Sequence, residues 1–218
     1  LLSQNIKFLV IACHTASTVA LTALERAFSN LPIAGMIEPG AQAACSISQN
    51  GHIAVIATEG TVKAQGYQRA IGRIKPDSKV IAQGCSVFVA LAEEGWHEGP
   101  IAESVAQRYL GPLFVNNDRP DCLLLGCTHF PLLTKAIEKV IGNDIFIVDP
   151  ADETAQAVKS ILQQRNLENT QGCALTKFLV TDSPERFARI AERFLSTSIH
   201  SAQIQLVDTF ALSEKEPT

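Results

Sequence analysis

Two cysteines of this chain, Cys13 and Cys127, have a side chain and a position that suit catalysis. Cys13 follows the apolar run Phe8-Leu-Val-Ile-Ala12, and Cys127 follows Leu123-Leu-Leu-Gly126. The apolar pattern before each cysteine is typical of a buried strand, and hydroxyl residues and a helical pattern follow the cysteine. Parallel α/β sheets place their sites at the carboxyl ends of strands, where a helix amino end lowers the pKa of a thiol. The pattern therefore predicts two reactive thiols that face one substrate.

A pair of thiols that stays reduced suits reversible proton transfer at carbon. One thiolate removes a proton from a carbon acid, and the opposite thiol returns a proton to the other face. Thr15 and Thr128 follow the cysteines closely, and hydroxyls beside free helix N–H groups suit a carboxylate substrate. His129, two residues after Cys127, is a candidate to relay the proton of that thiol. Taken alone, each threonine could also be a helix cap, and the histidine could be structural.

The composition indicates a compact protein that acts on a small molecule. The 218 residues carry a formal net charge of −4, which leaves no basic surface for a nucleic acid. No apolar stretch approaches the ~20 residues of a membrane span, so no membrane partner is expected. The six cysteines form no C-x-x-C pair or ligand spacing, which favours reduced thiols in the cytoplasm and predicts no metal site. Four of them are expected to be small core residues: Cys45, Cys85, Cys122 and Cys173.

Strand and helix patterns alternate along nearly the whole chain, which predicts parallel sheets flanked by helices. Strands are predicted at 6–13, 33–37, 53–57, 79–82, 122–126, 145–148, 177–181 and 204–207. Helices are predicted at 15–28, 61–74, 86–94, 101–114 and 131–140, and after the turns at 38–40, 149–150 and 183–184. No G-x-G-x-x-G loop or P-loop is present, so no nucleotide cofactor is predicted.

The two cysteine-bearing strand–helix units resemble each other, which suggests two similar α/β domains with the active site in the cleft between them. We expect the first domain to comprise residues 1–34, the second residues 35–148, and the chain to return to the first domain over 149–218.

Several motifs of the chain resemble, in order, the signature segments of the glutamate racemases, a branch of the aspartate/glutamate racemase family. They are Ile11-Ala-Cys-His-Thr-Ala-Ser17, Ile37-Glu-Pro-Gly40, Ala57-Thr-Glu-Gly-Thr61 with Gly66-Tyr67, Phe88-Val-Ala-Leu-Ala-Glu-Glu-Gly-Trp96, Leu125-Gly-Cys-Thr-His-Phe-Pro131 and Thr181-Asp-Ser-Pro-Glu-Arg-Phe187. Because these segments run from one end of the chain almost to the other, the resemblance covers most of it.

The resemblance implies a racemase that needs no cofactor and interconverts L- and D-glutamate. Cys13 and Cys127 would be the acid/base groups on opposite faces of the α-carbon, with His129 and Glu93 assisting the second thiol. The substrate would be bound by residues of the matching motifs: His14, Thr15, Thr58, Thr61 and Thr128. The family also implies a cytoplasmic homodimer that supplies D-glutamate for peptidoglycan, and hence for cell-wall biogenesis and cell shape.

The chain departs from the family pattern around the first cysteine. His14 stands where the family has asparagine, and an ordinary histidine there would titrate near neutral pH. The family's Asp-Ser-Gly segment and Tyr-Gly pair do not precede Cys13, so we expect an N-terminal strand–helix–strand–helix portion to be missing. Two alternatives therefore stay open: a racemase for aspartate or another amino acid, and an inactive truncated remnant that acts by protein association.

Overall fold

The computed structural model describes residues 1–115, 118–170, 172, 175–200 and 203–208 of the chain. The chain divides into two compact units, Leu1–Glu168 and Asn169–Thr218, which we describe separately. Cys173, predicted to be a core residue, lies outside the described residues, and so do residues 209–218. The predicted domain boundaries at 34 and 148 remain a prediction.

The first unit contains two parallel sheets. The smaller pairs β1 (Leu9–Ile11) with β2 (Ile33–Gly35). The larger contains β3 (His52–Ala57), β4 (Lys79–Gly84), β5 (Cys122–Gly126) and β6 (Phe146–Val148) in the order β4-β3-β5-β6. All of its neighbouring strands run parallel. Parallel strands need crossover connections, and the helices between them supply these.

In the described part of the first unit, eight α-helices connect and cover these strands. They are α1 (His14–Ala27), α2 (Ile37–Ile47), α3 (Glu59–Lys63), α4 (Gly66–Ile74), α5 (Ser86–Glu94), α6 (Pro100–Leu110), α7 (Thr134–Ile141) and α8 (Ala151–Gln164). Among the described residues, no helix is both long and apolar enough to cross a bilayer.

The central strands of the larger sheet, β3 and β5, are buried at every position and, apart from His52, carry only apolar residues or glycine. On β3, Ala54 and Ile56 pack with α5, α6 and α7 on one face, whereas Ile53 and Val55 pack with α2 and α4 on the other. Successive side chains of a strand point to opposite faces, so each strand feeds both cores. This double burial holds the carboxyl ends of the strands at fixed positions.

The second unit pairs β7 (Phe178–Val180) with β8 (Ile204–Leu206) in parallel, and α9 (Pro184–Leu195) follows β7. Pro184 occupies the first turn of α9, as the sequence predicts. Ser183 is the N-cap of this helix by position, and its side chain makes no capping hydrogen bond.

The predicted α/β class with parallel sheets is confirmed, and the differences are local. The helix predicted at 61–74 is two helices, because Gln65 adopts a left-handed conformation with φ of 52° and interrupts it. The helix predicted at 131–140 begins as a 3₁₀ turn, Phe130–Leu133, before α7. The turn predicted at 38–40 lies within the first turns of α2.

Candidate active site

Four polar or thiol-bearing residues directly follow the four strands of the larger sheet. Thr58 follows β3, Cys85 follows β4, Cys127 follows β5, and Asp149 follows β6. These positions share one edge of the sheet because all four strands are parallel. Cys13 lies two residues beyond the end of β1. The carboxyl edge thus collects the chemistry-bearing residues, as parallel α/β sheets generally do.

Cys13 is the N-cap of α1 and is exposed to solvent. The backbone N–H of Ala16 points at its Sγ, with a distance of 3.5 Å between the nitrogen and the sulfur. The thiol therefore takes the place of the hydroxyl or carboxylate oxygen that usually caps a helix. Its exposure leaves it accessible to a small molecule.

Cys127 has a different environment because it is buried. Burial is the main cause that raises the pKa of this thiol to about 11, although the backbone N–H of His129 works in the opposite direction. The expectation that a helix amino end lowers the pKa of this thiol is therefore wrong. A 3₁₀ turn, and not an α-helix, follows Cys127, so desolvation outweighs the weak helix dipole.

His129 lies beside Cys127, and Glu93 lies beside His129, as the family motifs led us to expect. The Sγ of Cys127 lies 3.8 Å from Nδ1 of His129, and Nε2 of the same ring lies 3.4 Å from Oε1 of Glu93. A carboxylate that accepts from Nε2–H leaves Nδ1 with a lone pair directed at the thiol. This arrangement can take the proton of Cys127 and return it.

Three of the predicted substrate-binding hydroxyls form one cluster, which we call the threonine cluster: Thr15, Thr58 and Thr61. The oxygen of Thr15 lies 2.9 Å from that of Thr58 and 2.8 Å from that of Thr61, and the last two oxygens are 3.1 Å apart. Each hydroxyl can rotate its proton to a new acceptor, so the cluster can redirect donors to a carboxylate. It also joins the start of α1 to the end of β3.

Thr128 connects the two cysteine-bearing segments directly. Its hydroxyl donates a hydrogen bond of 2.9 Å to the carbonyl oxygen of Ala12, the residue before Cys13. The two thiols also interact electrostatically, because charge on Cys13 raises the pKa of Cys127. Segments that are far apart in sequence therefore meet at one place.

His14 lies behind Cys13 and is buried, with 2% of its surface exposed. Its Nδ1 is 2.7 Å from the hydroxyl of Tyr67, and burial lowers the pKa of the imidazole to about 4. The expectation that this histidine titrates near neutral pH is wrong, because a charged ring would lose its hydration there. At neutral pH His14 is an uncharged hydrogen-bonding group.

The sequence analysis assigned no role to two residues near the site, Tyr67 and Asp149. Tyr67 is buried. Asp149 follows β6 and is exposed as a residue, yet desolvation raises the pKa of its carboxyl despite a hydrogen bond from the Ala151 backbone. The position of Asp149 immediately after a predicted strand was a usable signal. The signal for Tyr67 was its place in the Gly66-Tyr67 pair of the family motifs, but an aromatic residue early in a helix usually serves in packing, so no role at the site was inferred from it. Among the described residues, no cluster of side chains could hold a metal ion.

Comparison with known proteins identifies the class. The Asp/Glu/Hydantoin racemase family profile matches residues 1–158, so the chain belongs to this family and is an isomerase. A glutamate racemase from Geobacter metallireducens is 42% identical over 196 residues, which are 89% of this chain and 72% of that protein. The family resemblance drawn from the motifs is therefore confirmed.

Solved structures agree on the fold. A glutamate racemase isoform, RacE1, from Bacillus anthracis superposes with a TM-score of 0.87 at 35% identity, over 95% of this chain and 76% of that one. A glutamate racemase from Francisella tularensis, solved in complex with D-glutamate, gives a TM-score of 0.87 at 30% identity over 95% and 75%. The roles of the individual site residues in this chain stay predictions.

Proposed function

We propose that this protein interconverts L- and D-glutamate without a cofactor, with Cys13 and Cys127 as acid/base groups on opposite faces of the α-carbon. The observation that carries the proposal is the hydrogen bond of 2.9 Å from the Thr128 hydroxyl to the carbonyl oxygen of Ala12, which brings the segments of the two thiols together. A two-base racemase needs one thiolate and one thiol at the same time. Burial, and to a smaller extent the nearby Cys13, raise the pKa of Cys127, which favours that mixed state over two thiolates.

In the direction that begins at Cys13, its thiolate removes the α-proton and Cys127 donates one to the other face. Cys127 is suited to donate because its raised pKa keeps it protonated at neutral pH. The new Cys127 thiolate then accepts the hydrogen bond of the His129 backbone amide, which lowers the energy of the charged sulfur. After turnover Cys13 carries the proton and Cys127 the charge.

The reverse direction requires a Cys127 thiolate before the substrate reacts. We propose that Nδ1 of His129 accepts the thiol proton over the 3.8 Å separation, while Glu93 stabilises the imidazolium through Nε2. The substrate proton then neutralises Cys127 while Cys13 donates its own proton to the other face, and the imidazolium of His129 releases its proton to solvent. This leaves a Cys13 thiolate and a Cys127 thiol, the state in which the first direction begins. Glu93 thus acts through His129 and not on glutamate itself.

Glutamate is the substrate that the relatives favour, because those at 34–42% identity over most of the chain are glutamate racemases. We propose that the threonine cluster and Thr128 bind its carboxylates and amine, and that uncharged His14 adds a hydrogen bond. We also propose a cytoplasmic homodimer that supplies D-glutamate for peptidoglycan. Light scattering on purified protein tests the dimer, and a mass equal to one chain would contradict it.

The experiment is racemisation followed by circular dichroism with L-glutamate, D-glutamate and L-aspartate in parallel. We expect the circular dichroism signal to disappear from either enantiomer of glutamate and to stay unchanged for aspartate. Cys13→Ala and Cys127→Ala should each abolish the activity, whereas Cys45→Ala, a buried cysteine in a core cluster, should retain it. A folded protein that racemises neither enantiomer, or a Cys127→Ala variant with full activity, would refute the proposal.

A further inference from the structure

The buried side chain of Tyr67 contacts the neighbours of both cysteines. It is the second residue of α4 and has 1% of its surface exposed. The start of α4 lies against α1, where a Cβ on Gly66 would be only 2.6 Å from Oγ1 of Thr18. The tyrosine is therefore carried by a helix end that is packed tightly against the helix that Cys13 caps.

The hydroxyl of Tyr67 reaches the first cysteine segment. It lies 2.7 Å from Nδ1 of His14 and donates to the carbonyl oxygen of Met36 at 3.4 Å. His14 is the first residue of α1 and directly follows Cys13. Because this contact is buried, removing the hydroxyl would leave the imidazole nitrogen without a partner, which is costly away from water.

The ring of Tyr67 reaches the second cysteine segment. A Cβ placed on Gly126 would lie 3.2 Å from Cε2 of the ring, so the tyrosine touches the backbone immediately before Cys127. An aromatic ring is rigid and has only two side-chain torsions. One side chain thus spans the distance between the residue after Cys13 and the residue before Cys127.

We propose that Tyr67 is a positioning residue that sets the spacing of the two thiol-bearing segments, an inference that rests on the proposed two-base reaction. Its hydroxyl fixes the start of α1 through His14, and its ring fixes the end of β5 through Gly126. Two bases that act on opposite faces of one carbon must keep a constant separation, and small misplacements of reacting groups are expensive.

The first test compares Tyr67→Phe with Tyr109→Phe, the same change at the other tyrosine. Tyr109 lies on α6, where its hydroxyl accepts from the backbone N–H of Val87 and its ring packs edge-on against Phe88. We expect Tyr67→Phe to lower kcat about 10- to 100-fold with a smaller change in KM, because misplaced groups lose rate more than binding. Tyr109→Phe should keep both constants.

The second test measures thiol spacing without catalysis. A short bis-alkylating reagent is added to the wild type and both variants, and the Cys13–Cys127 cross-link is quantified by peptide mass spectrometry. We expect Tyr67→Phe to reduce the cross-link and Tyr109→Phe to leave it unchanged. Should Tyr67→Phe fail to fold, His14→Leu removes the same hydrogen bond from the other side and should reduce the cross-link likewise.

Wild-type kcat together with wild-type cross-linking in Tyr67→Phe would overturn the inference. A lower kcat with unchanged cross-linking would also overturn it, because the hydroxyl would then act on chemistry and not on spacing. A wild type that does not racemise glutamate, yet whose cross-link depends on Tyr67, would refute the proposed function and leave the spacing role intact.

Discussion

Gly126 precedes Cys127, and its lack of a side chain lets the backbone of β5 lie close to β3. The substitution Gly126→Ala tests this packing, which places Cys127. The added Cβ would lie 2.8 Å from the carbonyl oxygen of Ile56 and 3.0 Å from Cβ of Ala57. Both atoms are anchored in β3, the paired neighbour of β5, so neither can move as a flexible side-chain end could. Over-packing of this kind costs ~1–3 kcal/mol. In a chain of this size each kcal/mol lowers Tm by roughly 2–4 °C, so Tm should fall by about 2–12 °C.

The matched control is Gly72→Ala, the same substitution in the exposed interior of α4. A Cβ at Gly72 meets no atom within 4 Å, and alanine is favoured over glycine in a helix by about 1 kcal/mol. We therefore expect opposite signs from the two variants in urea unfolding and in thermal melts followed by circular dichroism. A Gly126→Ala protein that melts at or above the wild-type temperature would refute the proposed tightness of this strand end.

Three further outcomes are expected. Alkylation of Cys127 by iodoacetamide should be slow at pH 7 and rise as the pH approaches its pKa of about 11, whereas full labelling at pH 7 as fast as at exposed Cys13 would contradict its burial. Folding lowers the pKa of His14 from 6.5 to about 4, so the unfolded chain binds this proton more readily. The free energy of unfolding should therefore be fully present above pH 6.5 and fall by about 3 kcal/mol as the pH drops towards 4. Urea unfolding at a series of pH values should show this decrease for the wild type and not for His14→Asn. Asp121→Ala should cost about 1–3 kcal/mol in the same assay, because its carboxylate accepts from the Ser48 hydroxyl and the next two backbone amides; an unchanged midpoint would show these bonds contribute nothing.

The fold class and the positions of both cysteines at strand ends could be predicted from the sequence. The apolar run before Cys127 correctly identifies β5, which is buried at every position. The strand before Cys13 is shorter than predicted, only Leu9–Ile11, and the expectation that it is buried is wrong, because none of its residues is buried in the small two-stranded sheet. The pairing of His129 with Glu93 came from the family resemblance, since nothing in their spacing of 36 positions indicates contact.

The electrostatics of the site could not be predicted in the same way. The sequence suggested a lowered pKa for Cys127 and an ordinary one for His14, and both were wrong because burial depends on residues far along the chain. Tyr67 illustrates the same difficulty: its contacts with His14 and Gly126 exist only once α4 has packed against α1. Desolvation and long-range packing are the physical terms that local patterns omit.

The most direct test of the central claim is the distribution of deuterium when L-glutamate racemises in deuterated water. Two thiols on opposite faces remove the α-proton with one group and return deuterium with the other. At early times the D-glutamate formed should therefore carry α-deuterium, while the remaining L-glutamate carries almost none. Equal deuterium in both enantiomers at early times would mean that a single group serves both faces, and it would contradict the opposed roles of Cys13 and Cys127.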